Sequence, residues 1–307
     1  MARYRRCRRV LAASVFLVPL VAAGCSERSA EPPAAKGDCP VAPVSVVVSV
    51  DQWGDIVADL AGDCAEVTTI VEGAAGDPHE FEPSPSDLAA FERADLVVLN
   101  GLGYDTWATD ATDALSDRPE VVDAGEVAGR SAGDNPHLFY DPAVVGDVAE
   151  AVTAALGEVS APAAEPYFAE RSIRWHRSME PYDALIERVA AHDPGRSFAA
   201  TESVFDPMAA ALGLRDVTPS GYRRAAANES EPAAADLAAF EEALGDGSVD
   251  VFVLNTQTEG SVPEQLRRVA RSNGVTVVEV TETVPDGESF LTWQVAQLEA
   301  LARALGS

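Results

Sequence analysis

Residues 44–60 read VSVVVSVDQWGDIVADL, and this stretch decides the fold class of the chain. The β-branched run Val44–Val50 lies between Pro43 and Asp51, a pattern typical of a strand that is buried on both faces. The residues that follow, 52–60, repeat their apolar positions at helical spacing. A strand that passes directly into a helix is the unit from which parallel α/β sheets are built.

The same alternation continues toward the C-terminus. Further strands are predicted at 66–71, 96–99, 120–122, 197–201, 214–218, 249–254 and 275–280. Helices are predicted at 86–93 with Ser86 as N-cap, and at 104–115, 143–156, 164–191, 206–212, 233–244, 263–272 and 290–305. The stretch 143–192 has no strand pattern. We therefore predict an α/β fold in which two lobes with parallel sheets flank a helical segment.

The N-terminus has the pattern of an export signal. Five arginines in residues 1–9 precede an apolar stretch, 10–23, which is too short to span a membrane. Small residues then lead directly to Cys25, an arrangement that resembles a bacterial lipoprotein processing site. We expect a signal peptide at 1–24 and a lipid-anchored tether at 25–42, which is rich in Glu, Pro and Ala. The predicted domains are an N-terminal lobe (43–142), a helical segment (143–195) and a C-terminal lobe (196–307).

The charge of the exported chain excludes one class of partner. Removal of the five leader arginines leaves 17 basic residues against 50 acidic ones, a formal charge of −33. Nucleic-acid binding requires cationic patches that contact phosphates, so we expect no nucleic-acid partner. An acidic surface is compatible with a protein that handles cations.

Two cysteines remain beyond the leader and the predicted anchor Cys25. Cys39 and Cys64 form an even pair in an exported protein, and we expect a disulfide between them; two buried free thiols are the alternative. A cysteine metal site is not expected, because two lone cysteines lack the paired spacing that such sites use.

Two of the four histidines in the chain lie in matching turns. His79 follows Asp77-Pro78, and His137 follows Asn135-Pro136. Proline makes each turn rigid just before the imidazole, and rigid loops hold metal ligands in fixed geometry. One such histidine would more often be a loop hydrogen-bonding residue, but two matching turns favour metal ligands.

Two acids follow predicted strands of the C-terminal lobe. Glu202 comes after the apolar run SFAAT, and Glu282 comes after VTVVEVT. Ligands of open α/β sheets bind outside the carboxyl ends of the strands, so both acids are candidate ligands. An acid at this position is more often only solvated, so neither carries the assignment alone.

Five stretches of the chain resemble a known family. They are DPHEFEPSPSDLAAFERADLVVLNGLGYDTW (77–107), NPHLFYDP (135–142), ATESVFDPMAAALGL (200–214), EPAAADL (231–237) and VTETVPDG (280–287). They are similar to the metal-binding lipoproteins of bacterial zinc and manganese ABC importers, the cluster A-I or cluster 9 binding proteins, which include streptococcal adhesin-like antigens. The resemblance runs from about residue 44 to the C-terminus.

The resemblance implies both fold and function. The two lobes are expected to be joined by a single long helix, roughly 165–191, with the metal in the cleft between them and local loop shifts on release. His79, His137, Glu202 and Glu282 would be the four ligands. The family usually has aspartate at the last position, so Glu279 is an alternative there.

The expected function is capture of a divalent transition metal outside the cytoplasm for an ABC importer permease. The expected protein is a monomer anchored by lipid to the outer face of the cell membrane. Two imidazoles and two carboxylates suit Mn(II), Zn(II) or Fe(II), and ligand type places manganese slightly ahead. Zn(II) would still bind more tightly than Mn(II) by intrinsic affinity.

Two other functions use similar residues. A metallohydrolase needs an open metal position for water and a general base, and the chain has neither an HExxH nor a GxSxG motif. We therefore expect no enzymatic activity. A surface adhesin with a structural metal is the second alternative, and it predicts that chelators unfold the protein.

Overall fold

The computed structural model describes residues 37–73, 81–192, 195–228, 230–258 and 260–306. Two predicted features lie outside these residues, namely the leader with Cys25 and the turn that carries His79. Among the described helices, none combines the length and the apolar character that crossing a bilayer would require.

The β-branched run at the front of the chain forms an inner strand of a four-stranded parallel sheet, the first sheet. Its strands are β1 (Val44–Val50), β2 (Ala65–Val71), β3 (Leu96–Leu99) and β4 (Glu120–Asp123), in the order β2-β1-β3-β4. Val46 and Val48 pack into the main core, whereas Val47 packs on the opposite face. β1 is therefore buried on both faces, as its unbroken β-branched sequence predicts.

Among the described residues, five α-helices accompany the first sheet. They are α1 (Asp51–Ala61), α2 (Pro85–Phe91), α3 (Thr106–Asp113), α4 (Ala124–Val127) and α5 (Pro142–Val159). Cys39 and Cys64 form a disulfide that ties the entry of the chain to the turn after α1.

The predicted cap of α2 was wrong. Ser84, not Ser86, is the N-cap: its Oγ accepts from the Asp87 amide at 3.3 Å, and the Asp87 carboxylate accepts from the Ser84 amide at 2.7 Å. The helix begins at Pro85 because the first helical position needs no N–H donor.

The second sheet repeats the topology of the first. Its strands are β5 (Ser197–Ala200), β6 (Arg215–Asp216), β7 (Val251–Asn255) and β8 (Thr276–Val280), in the order β6-β5-β7-β8, and all pairs are parallel. The accompanying helices are α7 (Asp206–Ala211), α8 (Ser220–Ala226), α9 (Ala234–Gly245), α10 (Ser261–Ser272) and α11 (Phe290–Leu305). The sequence pattern did not predict α8.

Strand β6 is shorter than the predicted 214–218. The Thr218 hydroxyl accepts from the Ala200 amide at 3.0 Å, and the Asp216 carboxylate accepts from the Thr218 amide at 2.8 Å. These side-chain hydrogen bonds take the place of backbone hydrogen bonds at the end of β6, as those of short polar side chains often do at strand ends.

One long helix, α6 (Glu165–His192), joins the two halves and continues through Pro181. A single apolar core includes residues of both sheets together with α5, α6 and α11. Phe139 lies in this core with its ring centroid 6.4 Å from Trp53 of α1 and 6.2 Å from Trp293 of α11. The predicted α/β fold with two parallel sheets and a connecting helix is confirmed.

Candidate metal site

Polar residues at the carboxyl ends of the parallel strands approach one another. Asn100 follows β3, Glu202 lies two residues beyond β5, Asn255 ends β7, and Glu282 lies two residues beyond β8. Parallel strands within each sheet end at the same edge, so residues far apart in sequence can converge there.

His137 and Glu282 meet between the two halves of the molecule. The His137 Nε2 lies 3.2 Å from the Glu282 Oε1, and the two residues are 7% and 9% exposed. A carboxylate buried to this degree requires a counter-charge or hydrogen-bond donors. The structure thus brings together one predicted imidazole and one predicted carboxylate.

Asn135 sets the orientation of the His137 ring. Its Nδ2 donates to the Ser203 carbonyl at 2.8 Å, which leaves its Oδ1 directed at His137, 2.7 Å from Nδ1 and 3.0 Å from the backbone nitrogen. Because an amide oxygen only accepts, Nδ1 carries the ring proton and Nε2 faces Glu282. A proton or a metal cation between Nε2 and the carboxylate would satisfy both groups.

The turn before His137 is held from the first sheet. Asn100 donates from Nδ2 to the Pro136 carbonyl at 2.9 Å and accepts from the Trp53 indole at 3.0 Å. Asn100, like Trp53, is fully buried. The imidazole is therefore carried by a rigid loop, as the Asn-Pro-His motif predicts.

Tyr104 contacts Glu282 from the first half of the chain. Its hydroxyl accepts from the Gln52 Nε2 at 3.0 Å and lies close to the Glu282 carboxylate. Burial, followed by the charge of Glu282, raises the pKa of Tyr104 well above its usual range, so the hydroxyl remains a donor. Gln52 also donates to the backbone carbonyl of Glu282 at 2.9 Å.

Glu202 is held by the loop that follows β7. Its Oε2 accepts from the Asn255 amide at 2.7 Å, and its Oε1 accepts from the Thr258 hydroxyl at 2.6 Å. Gln257 of the same loop accepts from the Glu282 amide at 2.5 Å. One loop therefore contacts both acids. The Glu202 carboxylate points toward this loop.

The described residues contain part of the predicted ligand set. Across 37–73, 81–192, 195–228, 230–258 and 260–306, no group of three or more His, Cys, Asp and Glu side chains could hold one ion. His137 and Glu282 are paired, Glu202 is not joined to them in such a group, and His79 lies outside these ranges. The alternative Glu279 instead forms ion pairs with Arg267 at 3.3 Å and Arg271 at 3.5 Å.

Asp206 adds negative charge beside the pair. Burial raises its pKa to about 6, while the nearby Arg223 guanidinium acts in the opposite direction. The Arg223 guanidinium bridges Asp206 at 2.6 Å and Asp216. Sequence reasoning missed Asp206, because nothing in its local pattern distinguishes it from a helix-capping acid.

Sequence reasoning also missed residues that lie against the candidate ligands: Gln52, Tyr104, Asn135, Asn255 and Thr258. Two of them carried a usable pattern. Asn135 belongs to the Asn-Pro-His motif, and Asn255 ends a strand beside the candidate acids. The others are identified only by their contacts.

Comparison with known proteins gives a consistent result. The family model described as zinc-uptake complex component A, periplasmic, matches residues 46–304. A manganese-binding lipoprotein, MntA, of Halalkalibacterium halodurans is 32% identical over 265 residues, which cover 83% of this chain and 74% of that protein. The high-affinity zinc uptake system protein ZnuA of Bacillus subtilis is 23% identical over 276 residues, 84% of this chain and 82% of that protein.

A solved structure shares the fold. The periplasmic zinc-binding protein TroA from Treponema pallidum superposes with a TM-score of 0.72 at 19% identity, over 86% of this chain and 99% of that one. At this identity the likeness establishes the architecture, and the chemistry of the site depends on the residues described above.

Proposed function

We propose a transport function for this chain, because it belongs to the family that is described as zinc-uptake complex component A, periplasmic. The membership confirms the resemblance carried by the five sequence stretches. The family consists of solute-binding proteins rather than enzymes. The chain captures a divalent transition metal ion outside the cytoplasm and delivers it to the permease of an ABC importer.

The observation that carries this proposal is the pairing of His137 with Glu282. A buried imidazole nitrogen that faces a buried carboxylate oxygen at 3.2 Å forms two sides of a cation site. The two residues come from different halves of the chain, so an ion between them would also bridge the halves. The names of MntA and ZnuA support Mn(II) or Zn(II) as the cargo, with Fe(II) as a third possibility.

The proposed ligand set is His79, His137, Glu202 and Glu282. Asn135 supports the inclusion of Glu202, because it links the His137 ring to the backbone of Ser203, the neighbour of Glu202. Binding of the ion would draw the Glu202 carboxylate toward the pair. Four protein ligands leave no open position for a substrate water, so we propose no hydrolytic activity.

The metal content of the purified protein tests this function. We expect about one equivalent of Mn(II), Zn(II) or Fe(II) per chain, and tight binding of one of these ions to the stripped protein in calorimetry. His79→Ala and His137→Ala are each expected to weaken binding by at least about 100-fold, because each removes a direct ligand.

The matched control is His176→Ala, since His176 lies on α6 against Trp175 and far along the chain from the proposed ligands. It is expected to retain the affinity of the parent protein. Failure of the parent protein to bind any of the three ions would reject the transport function.

We also propose that Cys25 carries a lipid anchor and that the monomer is held at the outer face of the cell membrane. The leader pattern supports this location, as does the lipoprotein name of the related MntA. Cys25→Ala is expected to move the protein from the membrane fraction to the soluble extracytoplasmic fraction. Equal membrane association of the two proteins would contradict the anchor.

A further inference from the structure

Tyr140 connects the segment that carries His137 to the strand end that carries Glu282. The Tyr140 side chain is fully buried. Its hydroxyl oxygen lies 2.6 Å from the Thr281 carbonyl oxygen and 2.8 Å from the Gln297 Oε1, so its single proton lies between two acceptors. Thr281 is the residue immediately before Glu282. A side chain from the first half of the chain is thus bonded directly to the backbone beside the candidate carboxylate.

The position of Tyr140 is fixed relative to His137. Residues Leu138–Tyr140 form a 3-10 turn directly after the imidazole, and the Tyr140 amide donates to the His137 carbonyl at 3.1 Å. The Tyr140 ring packs edge-on against Phe205 and Trp293, with ring centroids 5.7 Å and 5.5 Å away. A side chain that is held by its own turn and by packing holds in place the backbone to which it bonds.

Thr281 is also held by its own half of the molecule. Its amide donates to the Gln297 Oε1 at 3.0 Å, and its hydroxyl accepts from the Trp293 indole at 2.8 Å. Both of these partners belong to α11. Among the three side chains that bond Thr281, Tyr140 is therefore the one that belongs to the segment of His137, and its hydroxyl joins the two candidate ligands across the halves.

We propose that Tyr140 is a positioning residue for metal capture: its hydroxyl fixes the 3.2 Å separation between the His137 Nε2 and the Glu282 Oε1 before the ion arrives. This inference rests on the proposed function, and of the proposed ligands it needs these two alone. A separation that is set in advance lowers the cost of ordering the imidazole and the carboxylate around a cation.

The test compares Tyr140→Phe with Tyr182→Phe. Tyr182 lies on α6, is 1% exposed, and its hydroxyl has no hydrogen-bond partner among the described residues. Each variant removes one buried hydroxyl, but Tyr140→Phe alone breaks the contact with Thr281. The measured quantity is the dissociation constant of the metal-free protein for Zn(II) or Mn(II), whichever the parent protein binds more tightly, from calorimetric titration.

Tyr140→Phe is expected to weaken metal binding about tenfold, because the imidazole and the carboxylate are no longer held at a set separation. Tyr182→Phe is expected to leave the dissociation constant unchanged. Equal affinities of Tyr140→Phe and the parent protein, or an equal loss in both variants, would overturn the inference while the transport function stands. Absence of metal binding by the parent protein would reject the transport function and the inference with it.

A double-mutant cycle with His137→Ala separates positioning from a general loosening of the fold. Without the imidazole there is no pair to position, so Tyr140→Phe should change the dissociation constant of His137→Ala by less than about twofold. A full tenfold loss in that background would overturn the inference, because the hydroxyl would then act independently of His137.

A second measurement uses the parent protein alone and does not depend on the folding of a variant. Crystal structures of the metal-free and the metal-loaded protein should both keep the Tyr140 hydroxyl within hydrogen-bonding distance of the Thr281 carbonyl. A broken contact in the metal-free protein would overturn the inference, because the separation would then not be set before the ion binds.

Discussion

At the scale of single residues, the chemistry of the site depends on neutral amides and hydroxyls that orient charged groups. Asn135 fixes the His137 ring, Asn255 and Thr258 hold Glu202, and Gln257 accepts from the Glu282 amide. Such partners fix the tautomer and the direction of a ligand before the ion arrives, which lowers the cost of ordering it.

Asn135→Ala is expected to weaken metal binding by about 10- to 100-fold, because the His137 ring loses its Nδ1 acceptor and the Ser203 carbonyl loses its donor. Calorimetric titration of the stripped protein measures the change. Asn273→Ala is the control, since the exposed Asn273 side chain donates to the Val269 carbonyl at the end of α10, at 2.9 Å. Equal affinities of Asn135→Ala and the parent protein would show that the ring needs no such partner.

At the scale of the elements, local sequence patterns account for most of the helices and strands. Runs of β-branched residues mark β1 and β8, and proline or serine marks the start of α2, α5 and α11. The predicted element bounds are wrong where a side chain makes a hydrogen bond to the backbone that the sequence pattern does not show. Thr218 and Asp216 shorten β6, and Ser84 takes the cap that Ser86 was predicted to supply.

Ser84→Ala is expected to lower the free energy of unfolding by about 1 kcal/mol, because the Asp87 amide loses the Ser84 hydroxyl as its acceptor. Ser86→Ala serves as the comparison, since this exposed hydroxyl contacts the Ser84 hydroxyl and caps no amide. Urea denaturation measures both variants. A larger effect of Ser86→Ala than of Ser84→Ala would contradict the assignment of the cap.

At the scale of the whole molecule, the start of α1 connects the two halves. The Asp51 carboxylate accepts from the Gly73 amide at 2.7 Å and lies 3.5 Å from the Val284 amide, and the Asp55 carboxylate accepts from the Phe290 amide at 2.8 Å. These acids line a groove of about 430 Å³ between the first sheet and the loop after Glu282. Burial raises the pKa of Asp51 to about 6.

This raised pKa predicts a pH dependence of stability. The folded state binds a proton at Asp51 below about pH 6, whereas the unfolded chain binds it only near its ordinary value of 3.8. The stability of the parent protein relative to Asp51→Asn should therefore increase as the pH falls from 7 to 4, by at most about 3 kcal/mol.

Urea unfolding of both proteins across this range measures the effect. The other carboxylates titrate in both proteins, so their contribution cancels when one unfolding free energy is subtracted from the other. A difference in unfolding free energy that stays constant between pH 7 and pH 4 would contradict the raised pKa.

The sequence by itself determined the α/β class, the parallel sheets, the long connecting helix and the family, because strand and helix periodicity and the Asx-Pro-His turns are local patterns. It also marked His137 and Glu282 as candidate ligands. The ligand roles of His79, His137, Glu202 and Glu282 and the domain boundaries at 43–142, 143–195 and 196–307 remain predictions.

Only the tertiary structure decided that His137 faces Glu282, that Gln52 donates to the Glu282 backbone carbonyl, and that Glu202 turns toward Asn255 and Thr258. These contacts join residues 53 to 230 positions apart in the chain. They form because two separately folded sheets pack around a shared core, and no local pattern records which side chains that packing brings within hydrogen-bonding distance.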